Sequence, residues 1–280
     1  MDEFAGRVAV VTGAGSGMGR AFARRWAAEG MRVVAADVQQ DALDRTVAEL
    51  TDAGHEAVGV RTDVSDRAAV EHLRDEAVGR FGAVHLLCNN AGVEGYLDGA
   101  IWEATDADWS WTVDVNYWSV VHGIRAFVPH MLAHGEPAHV VNTCSMTSVV
   151  AASNMYGITK QAVLALTEVL GADLRARDAR IGVTALCPGM IATNLFQGSR
   201  NRPAALRNEQ ETEGARAGAE LRERMHATLS EGMSPDTVAA LLVDAVRRNA
   251  PYLLTDHEWD DRVQARHDAI MAAAVDPPTA

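Results

Sequence analysis

Cysteine is scarce in this sequence of 280 residues, in which only Cys88, Cys144 and Cys187 occur. Three thiols in or near apolar segments do not suggest a disulfide framework, so we expect buried, reduced cysteines in a cytoplasmic protein. Long hydrophobic runs are missing too, and none approaches the roughly 20 residues that a membrane helix needs. Residues 1–3 include two acids, where a secretory signal would carry basic residues. The sequence therefore predicts neither a membrane segment nor a signal peptide.

Positive charge is also in short supply. The chain has 25 lysines and arginines against 38 aspartates and glutamates, which gives a formal net charge of −13. Nucleic acids and anionic membrane surfaces attract basic proteins, so this balance argues against both as partners. His130 and His134 have the spacing of two metal ligands on a helix, but the His-Glu-x-x-His pattern is missing and we expect no metal site.

Hydrophobic residues make up 48% of the chain, which suffices for a large core. Short apolar runs alternate with stretches whose apolar residues recur at helical spacing, such as Leu43, Val47 and Leu50. This alternation predicts an α/β fold: a single Rossmann-type, doubly wound domain over 1–280, with a flexible tail at 276–280 and a parallel sheet of about seven strands. The predicted strands are 7–12, 31–36, 57–62, 84–88, 139–143, 181–186 and 252–255.

The first predicted strand leads into a glycine-rich turn at residues 12–19, and a predicted helix follows it. Glycine lets the backbone turn tightly and approach a pyrophosphate closely. The start of the helix offers free N–H groups and a positive dipole end to the phosphates. This strand–turn–helix context predicts a dinucleotide site. Its expected cofactor contacts are Gly13, Ser16, Gly17, Met18 and Gly19.

Asp37 stands at the end of the second predicted strand, where its carboxylate can accept hydrogen bonds from both adenosine ribose hydroxyls. A 2′-phosphate would be repelled there. No lysine or arginine lies within 14–18 or directly after Asp37 to neutralise such a phosphate. The sequence therefore favours NAD over NADP.

Tyr156 and Lys160 are four residues apart in a segment that predicts a helix, so they share one face. A free tyrosine, with a pKa near about 10, is a poor base at neutral pH. A nearby ammonium favours the phenolate and lowers that pKa. Such a tyrosine can exchange a proton with the hydroxyl of an alcohol while hydride leaves the carbon that bears this hydroxyl.

Together these motifs resemble the short-chain dehydrogenase/reductase superfamily over nearly the full length of the chain. The match extends to Asp63 and Val64 after the third strand, to residues 89–92 (NNAG) after the fourth, and to residues 188–193 (PGMIAT) after the sixth. The resemblance implies cofactor contacts from Tyr156 and Lys160 and from further residues. These are Asp63, Val64, Asn90, Ala91, Gly92, Pro188, Gly189, Ile191 and Thr193.

The resemblance also implies four catalytic residues. Tyr156 would be the general acid/base, and Lys160 would lower its pKa and hold the nicotinamide ribose. Ser145 would donate a hydrogen bond to the substrate oxygen, and Asn116 would hold a water in a proton relay. The stretch from Ser145 to Tyr156 is shorter than usual in the family, and the usual spacing falls on Thr143. We favour Ser145 over Thr143, and over Ser148.

The polar segment 194–230 follows a strand end and interrupts the strand–helix alternation, so we expect it to be a lid over the substrate. The expected substrate pocket is mainly apolar and includes flexible methionines, which suits a bulky hydrophobic or aromatic alcohol. Its predicted residues are Glu94, Tyr96, Met146, Asn154, Met155, Met190, Leu195 and Phe196.

The predicted function is the NAD-dependent interconversion of a secondary alcohol and a ketone. One alternative is an NADPH-dependent carbonyl reductase, which is disfavoured because Asp37 would repel the 2′-phosphate of NADPH. Another, from a different class, is a catalytically silent NAD-binding regulatory protein, although such proteins tend to lose the tyrosine or lysine that this chain keeps. The resemblance implies a homotetramer.

Overall fold

Seven parallel strands form one sheet in the computed structural model, which describes residues 1–208 and 213–274. The strands are β1 Val8–Thr12, β2 Arg32–Asp37, β3 Ala57–Arg61, β4 Leu86–Asn89, β5 Ala138–Thr143, β6 Ile181–Cys187 and β7 Tyr252–Leu254. They lie in the order β3-β2-β1-β4-β5-β6-β7, and every neighbouring pair is parallel. Each strand overlaps a predicted run, and the predicted doubly wound fold is confirmed.

Helices cover both faces of the sheet. Those in the described residues are α1 Gly17–Ala28, α2 Gln40–Asp52, α3 Arg67–Phe81, α4 Asp106–Val113, α5 Ser119–His134, α6 Met155–Ala176, α7 Glu213–Ser230, α8 Pro235–Arg247 and α9 Asp260–Ala272. Side chains along a strand point alternately to opposite faces. Ala9 and Val11 of β1 therefore pack in one core cluster with α1, α2 and α8, whereas Val8 and Val10 pack in another with α3, α5 and α6.

The segment predicted as a lid holds no strand in its described part. It contains two 3₁₀ turns, Leu195–Asn201 and Ala204–Leu206, and then α7. The tail predicted at 276–280 lies outside the described residues. In the part of the chain that the structure describes, no helix combines the length and the apolar character needed to cross a bilayer. All three cysteines are buried free thiols.

Candidate active site

A cleft opens at the carboxyl ends of the strands, where the strand order reverses between β1 and β4. Ligands bind at this reversal in doubly wound sheets, because the loops leave the two strands in opposite directions. Most of the predicted cofactor residues line the cleft. They are Gly13, Ser16, Gly17, Met18, Asp37, Asp63, Val64, Asn90, Ala91, Gly92, Tyr156, Lys160 and Thr193.

The glycine turn has the shape that a diphosphate requires. Gly13 and Gly17 have φ angles of +67° and +53°, which L side chains rarely adopt. A Cβ on Gly19 would lie only 2.1 Å from the carbonyl oxygen of Gly13. Because α1 begins at Gly17, its free N–H groups and positive dipole end lie at this turn. These residues therefore fit the diphosphate of a dinucleotide.

Asp37 ends β2 as a fixed negative group in the cleft. The N–H groups of Gly15 and Gln39 donate to its two carboxylate oxygens, each at 2.9 Å. A Cβ on Gly15 would come within 2.9 Å of Asp37 Oδ2, so this approach requires glycine. An ionised carboxylate has about four lone-pair sites, and these two bonds therefore leave acceptor capacity for a ribose.

Thr12, which was not among the predicted site residues, ties β1 to β4 at the reversal. Its hydroxyl accepts the N–H groups of Asn90 at 2.9 Å and of Ala91 at 3.1 Å. Asn90 Nδ2 also donates to the carbonyl oxygen of Thr12 at 3.0 Å. The position of Thr12 directly before the glycine turn is the signal that could have revealed it. These bonds fix the floor of the cleft.

Tyr156 and Lys160 lie at the start of α6, as predicted. Asn154 caps this helix, and its side-chain oxygen accepts the N–H of Gly157 at 2.9 Å. Lys160 Nζ lies 5.6 Å from the centre of the Tyr156 ring and donates to the carbonyl oxygen of Thr143 at 2.7 Å. The cap and the lysine bond together hold the pair at the carboxyl end of β5.

Burial governs the ionisation of both members of this pair. It raises the pKa of Tyr156 to about 12, a shift that a hydrogen bond with Ser145 opposes. It lowers the pKa of Lys160 to about 8. The tyrosine pKa is therefore raised and not lowered as expected, because the cost of desolvating a phenolate dominates. At pH 7 the phenol is therefore protonated and able to donate, while the lysine keeps most of its charge.

Asn116 lies in a π-helical turn, Asp114–Trp118, between α4 and α5. Such turns are rare and often occur at functional sites. Asn116 Oδ1 accepts the N–H of Val93 at 2.8 Å, and its Nδ2 donates to the carbonyl oxygen of Val93 at 2.9 Å. A Cβ on Gly92 would contact both Asn116 Oδ1 and Lys160 Nζ, so these two groups are neighbours. The water relay implied by the resemblance stays a prediction.

The Ser145 hydroxyl acts on Tyr156, since it lowers the pKa of the phenol against the effect of burial. The Thr143 hydroxyl donates instead to Asn90 Oδ1, in the loop after β4, at 3.4 Å. Ser148 is buried, and its hydroxyl donates to the carbonyl oxygen of Lys160 at 2.8 Å. Thr143 belongs to the described lining of the cleft, whereas Ser145 and Ser148 do not. The role of Ser145 as the hydroxyl that meets the substrate oxygen stays a prediction.

Some predicted cofactor residues lie outside the described lining of the cleft. They are Gly19, Pro188, Gly189 and Ile191. Gly19 is buried against the glycine turn, and Ile191 belongs to the core. The N–H of Gly189 donates to Thr255 Oγ1 at 2.9 Å. The contacts that the resemblance implies for these four residues stay predictions.

The predicted substrate residues are more scattered. Leu195 lines the cleft. The others lie outside its described lining; they are Glu94, Tyr96, Met146, Asn154, Met155, Met190 and Phe196. Met146 and Met155 are fully buried, and the side chain of Asn154 is engaged as a helix cap. Sequence spacing could not reveal this, because side-chain direction in the short loop between β5 and α6 depends on tertiary packing.

The segment after Thr193 forms one wall of the cleft. Its lining residues are Asn194, Leu195, Gly198, Arg200, Asn201, Pro203 and Leu206. Gln39 Nε2 donates to Asn201 Oδ1 at 2.5 Å, so this wall reaches the end of the cleft that contains Asp37. Gln39 and Asn201 were not predicted as site residues. The position of Gln39, two residues after Asp37, is the signal that could have pointed to it.

Buried acids anchor this wall to the rest of the molecule. Arg202 Nη1 donates to Asp108 Oδ1 at 2.6 Å, and its guanidinium lies 5.2 Å above the ring of Trp111. Burial alone would raise the pKa of Asp108, but hydrogen bonds from Thr105, Arg202 and Asn208 lower it below its ordinary value. Glu94 accepts the N–H and the hydroxyl of Ser199 at 3.2 and 2.6 Å. Glu94, predicted to contact substrate, is thus engaged in holding the wall.

Known proteins share this architecture. The family model described as short chain dehydrogenase matches residues 7–204. A 1-deoxy-11-beta-hydroxypentalenate dehydrogenase of Streptomyces exfoliatus is 44% identical over 194 residues, which are 69% of this chain and 70% of the relative. A C alpha-dehydrogenase of a Sphingobium species is 32% identical over 274 residues, 97% of this chain and 87% of the relative.

A solved structure adds the ligand context of a relative. The crystal structure of a Burkholderia phymatum short chain dehydrogenase/reductase in complex with NAD matches with a TM-score of 0.93 and 43% identity, and 100% of each chain is covered. The chain therefore belongs to the short-chain dehydrogenase/reductase family, which confirms the resemblance. It is an oxidoreductase of this family, whose members use nicotinamide cofactors.

Proposed function

We propose that the protein is an NAD-dependent dehydrogenase that interconverts a bulky hydrophobic or aromatic secondary alcohol and its ketone. One observation carries the proposal: Tyr156, Lys160 and the fixed carboxylate of Asp37 all line a single cleft. A proton-transferring group and a site for the ribose of a dinucleotide are the two parts that such a reaction needs.

Tyr156 would move the proton in this reaction. When bound, the nicotinamide cofactor would supply the hydride acceptor for oxidation, or the hydride for reduction. In reduction the neutral phenol of Tyr156 would donate its proton to the carbonyl oxygen, and in oxidation its phenolate would take the hydroxyl proton. The Ser145 hydroxyl, which lowers the pKa of Tyr156, would donate to the same oxygen and stabilise its developing charge.

Lys160 would assist in two ways. Its ammonium, with a pKa lowered by burial to about 8, is still mostly charged at neutral pH and favours the phenolate form of Tyr156. Its bond to the Thr143 carbonyl holds the side chain in the cleft, where the ribose of the cofactor would lie. The positive nicotinamide ring of the oxidised cofactor would add to this stabilisation of the phenolate.

Two observations support NAD as the cofactor. Gly15 and Gln39 hold the carboxylate of Asp37 in place, so it cannot easily turn away from a 2′-phosphate. The Burkholderia relative was solved in complex with NAD. A fixed negative group disfavours a second negative group at hydrogen-bond distance.

The cleft wall supports an apolar substrate. Val93, Trp111, Leu195, Pro203 and Leu206 contribute apolar surface to it. The Streptomyces relative is named for a hydroxylated pentalenate. We therefore expect alcohols of that size class to be better substrates than short-chain alcohols, because they bury more apolar surface in the cleft.

A dehydrogenase screen tests this function. The purified protein is mixed with NAD or NADP and with secondary alcohols of graded size, and NADH or NADPH formation is followed at 340 nm. We expect turnover with NAD, increasing from small aliphatic to cyclic and aryl-alkyl alcohols. Tight NADH binding with no turnover of any alcohol or ketone would instead favour the silent regulatory alternative.

A further inference from the structure

We propose that Ser148 is a positioning residue of the active site, whose hydroxyl joins the backbone of Ser145 to the helix that carries Tyr156 and Lys160. The proposal rests on the proposed function, since it concerns the geometry of that reaction. Ser148 would act through Ser145, because it is only 2% exposed and lies outside the described lining of the cleft.

The Ser148 hydroxyl makes one bond to each half of the site. It accepts the N–H of Ser145 at 3.1 Å and donates to the carbonyl oxygen of Lys160 at 2.8 Å. Ser145 follows β5, whereas Lys160 belongs to α6, so a single oxygen connects the two elements. Both bonds are direct and the site is buried, so the link does not depend on solvent.

The same turn orients the Ser145 side chain. Ser145 caps the 3₁₀ turn Met146–Ser148, and its hydroxyl oxygen accepts the N–H of Thr147 at 3.2 Å. Its backbone N–H and its side chain are therefore both held by the turn that contains Ser148. A change at Ser148 reaches the Ser145 hydroxyl through these bonds.

Other hydrogen bonds also hold the loop between β5 and α6. The N–H of Met146 donates to the carbonyl oxygen of Pro188 at 2.9 Å, and Gln161 Nε2 donates to the carbonyl oxygen of Val150 at 2.8 Å. Arg266 of α9 donates to the carbonyl oxygens of Ser148 and Val150 at 3.3 and 3.2 Å. Among the described residues, the Ser148 hydroxyl is the side-chain group that binds the backbone N–H of Ser145. Because the loop is short, it leaves little freedom in the position of Ser145 relative to α6.

Loosening this link should alter the chemical step more than cofactor binding. The Ser145 hydroxyl counteracts the rise of the tyrosine pKa on burial. If Ser145 moves, this effect weakens and the phenolate forms only at higher pH. The glycine turn and Asp37 have no direct contact with Ser148, so the affinity for NADH should change much less than kcat.

The test compares Ser148→Ala with a matched control, Thr167→Val. Thr167 is also a buried hydroxyl that joins α6 to β5: it accepts from Asn142 Nδ2 at 3.0 Å and donates to the carbonyl oxygen of Val163 at 2.6 Å. It lies away from Ser145 along the helix. Both variants lose a buried hydrogen-bonded hydroxyl, so both should lower the melting temperature.

Only the Ser148 variants should change the reaction. For Ser148→Ala we expect kcat for alcohol oxidation to fall about tenfold, since small misplacements of reacting groups have effects of this size or larger. The midpoint of its pH–rate profile should move to higher pH, with a much smaller change in the NADH dissociation constant than in kcat. Ser148→Cys nearly keeps the side-chain volume and weakens both hydrogen bonds, so kcat and the pH midpoint should change in the same direction as in Ser148→Ala. This variant replaces Ser148→Ala in the test if the alanine variant does not fold.

Two outcomes would contradict these proposals. If the Ser148 variants keep the wild-type kcat and pH profile and lose only thermal stability, as Thr167→Val should, the positioning role is wrong. Turnover by the wild-type protein is measured first in the same assay. Its absence would overturn the proposed function, whereas wild-type turnover with unaffected Ser148 variants would overturn the positioning role alone.

Discussion

At the scale of single residues, the proposed preference for NAD depends on the carboxylate of Asp37. The substitution Asp37→Asn removes the negative charge but keeps one acceptor oxygen. We expect the ratio of kcat/KM with NAD to kcat/KM with NADP to fall by about tenfold or more, which corresponds to roughly 1.4 kcal/mol of lost repulsion. Initial rates with both cofactors measure this ratio.

The matched control is Asp41→Asn, which removes an exposed carboxylate from the first turn of α2, outside the described lining of the cleft. It changes the net charge equally and should leave the ratio unchanged. A wild-type protein that used NADP as well as NAD would contradict the role assigned to Asp37.

Residues whose role follows from local motifs could be predicted from the sequence. Gly13 and Gly17 line the cleft because a strand, a tight turn and a helix follow one another over a short stretch, and Asp37 lines it because it ends the next strand. Met146 and Met155 could not be placed in this way. Their burial depends on how the short loop packs between β5 and α6, which spacing alone does not show.

At the scale of elements, the wall formed by residues 194–206 lines the cleft and reaches the end that contains Asp37. The bond between Gln39 and Asn201 joins this wall to the loop after β2, where the adenosine would lie. Asn201→Ala removes the acceptor, and a hydrogen bond of about 1 kcal/mol corresponds to roughly fivefold faster release of NADH. Stopped-flow fluorescence of NADH displacement measures the release rate.

Gln197→Ala provides the control for this rate. Gln197 belongs to the same 3₁₀ turn but is exposed, and its side chain contacts His226 at 3.0 Å outside the described cleft lining. Its removal should leave NADH release unchanged. An Asn201→Ala variant with the wild-type release rate would show that the wall does not retain the cofactor.

The strands and the order of elements could be predicted because apolar runs and helical periodicity are local signals. The π-helical turn around Asn116 could not, because its extra residue is stabilised by the bonds to Val93, 23 positions earlier. Segment 194–206 was expected near the substrate, but the contact that anchors it was not, since Asp108 and Arg202 meet only in the folded chain.

At the scale of the whole molecule, a buried neutral histidine makes stability depend on pH. His139 is fully buried in β5, its Nε2 lies 2.8 Å from Thr184 Oγ1, and its Nδ1 has no partner among the described residues. The Thr184 hydroxyl donates to the carbonyl oxygen of Ala250, so it accepts from His139 Nε2. Burial lowers the pKa of His139 to about 3.

This pKa fixes the direction of the effect. The unfolded chain takes up a proton at His139 near pH 6.5 and the folded chain only near pH 3, so its contribution to stability is complete above pH 6.5 and is lost as the pH falls toward 3. The loss is roughly 1.4 kcal/mol per pH unit. Urea unfolding at about pH 7, 5.5 and 4.5 should therefore show a smaller free energy of unfolding in acid.

His139→Gln keeps a donor near Thr184 but cannot titrate. Its free energy of unfolding should fall less steeply between about pH 6.5 and 4.5 than that of the wild type, although it is less stable at neutral pH. Equal slopes would mean that His139 does not titrate as its burial requires. The homotetramer and the cytoplasmic location stay predictions at this scale.

The substitution Tyr156→Phe tests the central claim most directly, because it removes the phenol oxygen and leaves the ring against Lys160. NADH binding is measured by fluorescence and alcohol oxidation by absorbance at 340 nm, with wild-type protein in parallel. We predict NADH affinity near that of the wild type and a fall in kcat of at least about 100-fold. Appreciable turnover by the phenylalanine variant would contradict the assignment of Tyr156 as the general acid/base.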